Sequence, residues 1–299
     1  MTQRLSATFD LQGHRGCRGL RPENTLVAYR HALALGVSTL EMDCAVTADG
    51  VPVMSHDPSL NPDLTRGPDG AWIAPPGLVI VALHAEQLRL FDVGRPRPGS
   101  AQAARWPEQV AVDGTTVPTL AEVAELVRAS SVPVGMNIET KLFPDQPGLT
   151  VSPAAMASAI LAVLDAAGLT ARATIQSFDW RSLDWLAANR PEVARSYLTA
   201  AGTLRPAWLG GREVAGRKAP QLVAAAGGRI WSPDFTTLTR EEVALARELG
   251  LAVLPWTVNR PEDMARLLDW AVDGIITDHP DRLRQVMAAR GIPLPPAAS

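Results

Sequence analysis

The chain has 299 residues, 46% hydrophobic and 20% charged, and its 28 basic and 31 acidic residues leave a net charge of −3. This balance excludes the clustered basic excess of a nucleic-acid footprint, and two cysteines are too few for a disulfide scaffold. A chain of this length buries a large core without covalent staples, and one barrel of alternating strands and helices uses about 250 residues. Cys17 and Cys44 lack the C-x-x-C spacing of a redox or zinc site, and no bond between them is expected.

Residues 1–16, MTQRLSATFDLQGHRG, contain no apolar stretch of the signal-peptide kind. No run reaches the ~18 apolar residues of a membrane span, and the longest candidate, 154–169, is interrupted by Ser158 and Asp165. A cytoplasmic protein without stable membrane anchoring is the expectation. The pattern predicts a strand at 9–12 and a helix at 24–35, opened after Pro22 and stopped by Gly36. Strands are predicted at 38–46 and, past the turn at Ala48-Asp49-Gly50, at 51–55. Nine prolines between 58 and 118 break the periodicity, and only 79–91 reads as ordered there. This stretch, about 58–117, reads as an insertion on one catalytic domain spanning 1–299. Helices at 120–129, 153–167, 180–189, 241–249, 262–270 and 282–289 then alternate with strands at 132–139, 173–176, 194–198, 229–232, 251–257 and 274–277. The span 205–218 reads as a loop and 293–299 as a disordered tail. Strands alternating with helices imply right-handed βαβ units and a parallel sheet, and about eight units favour a (β/α)8 TIM barrel over an open sheet.

Active sites of such barrels lie at the C-terminal ends of the strands. Glu41 and Asp43 are two apart on a predicted strand, so their side chains share a face, and Glu139 ends the next full strand. Carboxylates gathered at a barrel mouth repel unless a cation or proton lies between them, and three of them make a hard oxygen site suited to Mg²⁺ or Ca²⁺. His14 and His56 lie just beyond strands, where two imidazoles beside a cation can act as acid and base. Arg15 and Lys141 are phosphate clamps, although a resting site can pair them with those same carboxylates. Trp256 reads either as an apolar wall for a substrate or as rim packing. His31, His84 and His279 read as non-catalytic.

The ordered pieces GHRGCRGLRPENT, LEMDCAVTADGVPVMSHD, VPTLAEV, NIETK, IQSF, PWTVN and DGIITDHP resemble the glycerophosphodiester phosphodiesterase family, from Gly13 to Pro280. The resemblance implies a (β/α)8 barrel with an insertion after the second strand, and Glu41, Asp43 and Glu139 as ligands of a divalent cation. It implies His14 and His56 as general acid and base, Arg15 and Lys141 as phosphate binders, and a small glycerophosphodiester cleaved to sn-glycerol 3-phosphate and an alcohol. A lipid-directed enzyme of lysophospholipase D type, with the apolar run 78–83 as its contact, and a non-catalytic glycerophosphodiester-binding protein are the other readings. Cys17 stands beside the expected catalytic loop where a small residue is common, so a reactive thiol is a further expectation.

Overall fold

The computed structural model describes residues 9–298. Residues 1–8 of the N-terminal stretch read above as lacking a signal-peptide run therefore lie outside it, as does Ser299. The described residues contain nine strands: β1 (Asp10–Gly13), β2 (Thr39–Val46), β3 (Pro52–Met54), β4 (Gly135–Thr140), β5 (Ala173–Ser177), β6 (Ala194–Thr199), β7 (Ile230–Pro233), β8 (Ala252–Val253) and β9 (Gly274–Thr277). Eight are parallel, in the order β8-β7-β6-β5-β4-β2-β1-β9, and β3 folds back antiparallel on β2. Between β8 and β9 the Asp273 amide donates to the Val253 carbonyl and the Ile276 amide to the Pro255 carbonyl, each at 3.0 Å, so the sheet nearly closes into the expected barrel.

The helices are α1 (Leu26–Leu35), α2 (Ala85–Leu88), α3 (Ala101–Arg105), α4 (Leu120–Ala129), α5 (Pro153–Ala167), α6 (Trp180–Asn189), α7 (Ala219–Ala225), α8 (Arg240–Glu248), α9 (Pro261–Asp269) and α10 (Pro280–Ala289). Local chemistry sets their ends. The Thr25 hydroxyl caps α1 at the Ala28 amide, and Gly36, at φ 86°, closes it. Thr119 and Glu122 form a capping box on α4, whose buried Leu120, Val123, Ala124 and Val127 follow the helical period. The main core lies between helices and barrel wall, where Leu40, Met42 and Cys44 point outward from β2. Inside the barrel a polar relay replaces the usual branched aliphatics. The Asn137 amide donates to Gln12 at 2.8 Å and to Gln176 at 2.9 Å, and Gln176 donates to Glu41 at 2.7 Å.

Four details differ from the sequence expectation. β8 has only two residues instead of seven, because Pro255 has no amide to continue the ladder. The seven-residue α7 was not predicted, being too short to establish a period. The span 79–91 is a 3₁₀ turn (Ile80–Ala82) followed by the one-turn α2. The tail to Ala298, expected to be disordered, runs against α1: the Ala298 amide donates to the Leu33 carbonyl at 2.9 Å, and Arg284 donates to the carbonyls of Gly36 and Pro295.

The insertion has its own small core of Leu60, Ile80, Leu88 and Val117, closed against Ala45 and Val53 of the β2–β3 hairpin. It is also tied to the loop after β1: the Val110 backbone amide donates to Leu20 at 3.0 Å and the Gln109 side chain, through Nε2, to Arg18 at 2.7 Å, both to backbone carbonyls.

That loop needs glycine at position 16. Gly16 has φ +85°, and a Cβ there would lie 2.8 Å from the carbonyl carbon and Cβ of Ala28 in α1. Gly16→Ala is expected to cost roughly 2 kcal/mol or more in urea unfolding. Gly50→Ala, at φ +80° with nothing within 4 Å, reports the backbone strain alone and should cost less. Equal losses would refute the tight approach to α1.

Candidate active site

The loop after β1 turns sharply enough to bring two charged side chains over the barrel mouth. Arg15 occupies the left-handed region at φ 51°, which directs its backbone amide to the Glu41 carboxylate at 2.9 Å. Its guanidinium donates to Glu23 at 2.7 Å and lies 3.0 Å from Asp43. Asn24, also left-handed, donates to Asp43 at 2.9 Å and accepts the Asp43 amide at 3.2 Å.

Glu41, Asp43 and Glu139 converge as the two-residue spacing on β2 predicts. They are buried, and each offers an oxygen within 4.8 Å of the others. β2 and β4 pair in register Asp43 to Glu139, which sets the third carboxylate beside the second. Burial, with Asp43 and Glu139 close by, pushes Glu41 well above the usual carboxylate range. Burial likewise raises Glu139, to about 7, against the pull of Lys141, whose ammonium donates to it at 2.6 Å. Burial would raise Asp43 too, but Arg15 and Lys141 together outweigh it and hold that carboxyl below its usual range. Asp43 Oδ1 is buried without a hydrogen-bond partner. Three oxygen donors with one orphaned lone-pair atom fit a hard divalent cation.

Both expected histidines are fixed through Nδ1. His14 Nδ1 lies 2.7 Å from Asp278 Oδ1, and His56 Nδ1 lies 2.8 Å from Asp57 Oδ1. Burial opposes ionisation of Asp278, but Arg18 and His14 hold its carboxyl well below the usual range. As an acceptor it therefore fixes the Nδ1–H tautomer of His14 and leaves Nε2 to exchange protons. Burial, Arg15 and Lys141 pull His56 down to about 4, and burial also lowers His14.

One cavity of about 280 Å³ is lined by His14, Arg15, Glu41, His56, Glu139, Lys141 and Trp256, with Asp43 fully buried behind it. Trp256 stands edge-on to Phe178 at 5.3 Å, and its indole N–H donates to the Ser232 carbonyl. His279 packs beneath the loop beside Trp106 and Gly19, outside this lining. Cys17 does not meet the reactive-thiol expectation. It is fully buried against α1, its thiol donates to the Ala28 carbonyl, and burial pushes it up to about 12.

A model of the glycerophosphoryl diester phosphodiesterase family matches residues 14–282. The chain belongs to that family. It is an enzyme, a phosphoric diester hydrolase of the glycerophosphodiester phosphodiesterase type. It is 28% identical over 278 residues to a glycerophosphodiester phosphodiesterase of Caldanaerobacter subterraneus subsp. tengcongensis, covering 93% of this chain and 97% of the relative. A glycerophosphoryl diester phosphodiesterase candidate of Silicibacter pomeroyi superposes with a TM-score of 0.86 at 35% identity, over 95% of each chain. An Oleispira antarctica phosphodiesterase, solved with the product sn-glycerol-3-phosphate, shares the fold at a TM-score of 0.69 and 24% identity, over 93% of this chain and 96% of that one.

Arg18, Asp278 and Asn259 form a cluster around His14 that sequence reasoning did not assign. Arg18 donates to both oxygens of Asp278, at 2.9 and 3.2 Å, and Asn259 donates to it at 2.7 Å. The signal available was the position of Asp278 at the end of β9, but nothing local linked it to His14, 264 residues away.

The raised carboxyls have a measurable consequence. Glu139 is largely protonated below pH 7 in the cation-free protein, and binding a divalent cation must displace that proton. Calorimetric titration with Mg²⁺ or Ca²⁺ at pH 6, in buffers of different ionisation enthalpy, is expected to detect proton release that is smaller at pH 9 than at pH 6. Buffer-independent heats at pH 6 would contradict the site. The Glu139 carboxyl, raised from its ordinary 4.5 to about 7, contributes stability that is lost as pH climbs through that window, while His56, lowered from 6.5 to about 4, makes the opposite contribution over nearly the same window.

Proposed function

We propose that this enzyme hydrolyses small glycerophosphodiesters, such as glycerophosphocholine and glycerophosphoethanolamine, to sn-glycerol 3-phosphate and the free alcohol. One observation carries the reading. Two imidazoles, each anchored at Nδ1 by a carboxylate, share a cavity with a buried carboxylate triad and two cationic side chains. Glu41, Asp43 and Glu139 would hold the divalent cation, Mg²⁺ or Ca²⁺. When bound, it supplies Lewis acidity toward a phosphoryl oxygen.

The chain's own groups account for the rest. Arg15 and Lys141 offset charge building on the phosphoryl oxygens. In the resting site they are spent on Glu23, Asp43 and Glu139, so substrate phosphate competes for them. Nε2 of one histidine takes the proton from the nucleophile (water, or the substrate's own glycerol hydroxyl with water then opening the cyclic ester), and Nε2 of the other returns a proton to the departing alkoxide. Asp278 and Asp57 hold the rings and stabilise the imidazolium forms. Phe178 and Trp256 form an apolar wall that limits water at the reacting bond.

Release of sn-glycerol 3-phosphate from glycerophosphocholine or glycerophosphoethanolamine is expected to stop in EDTA and to return with Mg²⁺ or Ca²⁺. Turnover that survives exhaustive chelation would sink the cation requirement. His14→Ala and His56→Ala are each expected to lower kcat by about 10²–10⁴-fold with far-UV circular dichroism unchanged. A loss below tenfold in either variant would remove that histidine from the acid–base pair.

A further inference from the structure

The insertion adds its own charge to the cavity. Helix α3 reaches the mouth with Gln102 and Arg105 among the lining residues, three apart and therefore on one face. Gln102 Oε1 is buried without a hydrogen-bond partner. Arg105 is exposed, and its guanidinium lies 5.2 Å from the Trp106 ring, which Arg18 also faces at 4.5 Å.

The charges around Arg105 are matched, but Arg105 is not. Arg18 is balanced by Asp278 and Glu23, Arg15 by Glu23 and Asp43, and Lys141 by Glu139 and Asp43. The wall carboxylates are engaged in turn, Asp57 by His56 and Asn61, and Glu41 by Gln176 and the Arg15 amide. Among the described residues Arg105 is the cavity-lining cation without a carboxylate partner. No cavity carboxylate is left over for a cationic head group.

We infer that Gln102 and Arg105 form a subsite for the alcohol half of the substrate, selecting glycerophosphodiesters whose alcohol bears a carboxylate or other anion. The inference rests on the reaction proposed above. The phosphate is held on the barrel side by Arg15 and Lys141, so a guanidinium on the insertion meets the group that extends from it. A planar fork suits a carboxylate in two-point contact, and the Gln102 carbonyl accepts a hydroxyl or ammonium hydrogen from the same group.

Glycerophosphoserine and glycerophosphoethanolamine differ by one carboxylate, so their ratio isolates the subsite. The wild type is expected to favour the serine diester about tenfold in kcat/KM, the scale of one charge-assisted contact. Arg105→Ala should lower kcat/KM for the serine diester about tenfold more than for the ethanolamine diester, and Arg105→Lys should keep part of the preference. Equal kcat/KM for the two diesters in the wild type would overturn the subsite. So would equal losses in Arg105→Ala, which would place the guanidinium on the shared phosphate. Calorimetric Kd values for the same diesters make the comparison without turnover. A tenfold binding preference lost in Arg105→Ala, with no hydrolysis by the wild type, would uphold the subsite and sink the proposed reaction. Hydrolysis without discrimination would do the reverse.

Discussion

Three carboxylates buried within 4.8 Å of one another are the constraint around which the rest of the site is arranged. Bringing Glu41, Asp43 and Glu139 out of water and together is costly, and two of the three respond by holding their protons more tightly. Asp43 stays ionised because Arg15 and Lys141 lie against it and Asn24 donates to it. Gln176 and the Arg15 amide each supply a donor to Glu41. The relay from Gln12 through Asn137 and Gln176 carries this compensation down into the barrel, which explains why its interior is polar. The strained backbone of Arg15 has the same origin, since the left-handed turn is what aims its amide at Glu41.

A second layer of pairing positions the imidazoles. Arg18, Asn259 and His14 converge on Asp278, so one buried anion serves three donors and fixes a ring orientation. The Trp106 ring stacks on Arg18, and the backbone of the same loop is tied to Gln109 and Val110. The insertion is thus a structural part of the mouth as well as its cover. Its own core closes on the β2–β3 hairpin, which couples its position to the strand that carries Glu41 and Asp43.

Much of this was legible in the linear chain because it depends on local periods. The alternation of strand and helix, the caps at Thr25 and Thr119, and the shared face of Glu41 and Asp43 follow from spacing and side-chain chemistry. The family motifs marked the histidines, the triad and the two cations, and the fold gathers six of those seven residues around one cavity with Asp43 directly behind. The α7 helix and the shortened β8 escaped because seven helical residues or a proline at a strand end leave too little pattern to read.

The sequence by itself determined the residue types and the order in which strand ends deliver them: carboxylates, imidazoles, and guanidinium and ammonium groups. Only the tertiary structure decided which charges face each other. Arg15 and Arg18 are three residues apart in one motif, yet one turns to the triad and the other to Asp278, from the far end of the chain. Cys17 sits in the same motif and is sealed against α1. Gln102 and Arg105 lie in a proline-rich stretch without periodicity, and only its packing against the loop after β1 brings them to the cavity. Such pairings depend on burial and on contacts between residues far apart in the chain, for which no local spacing exists to be read.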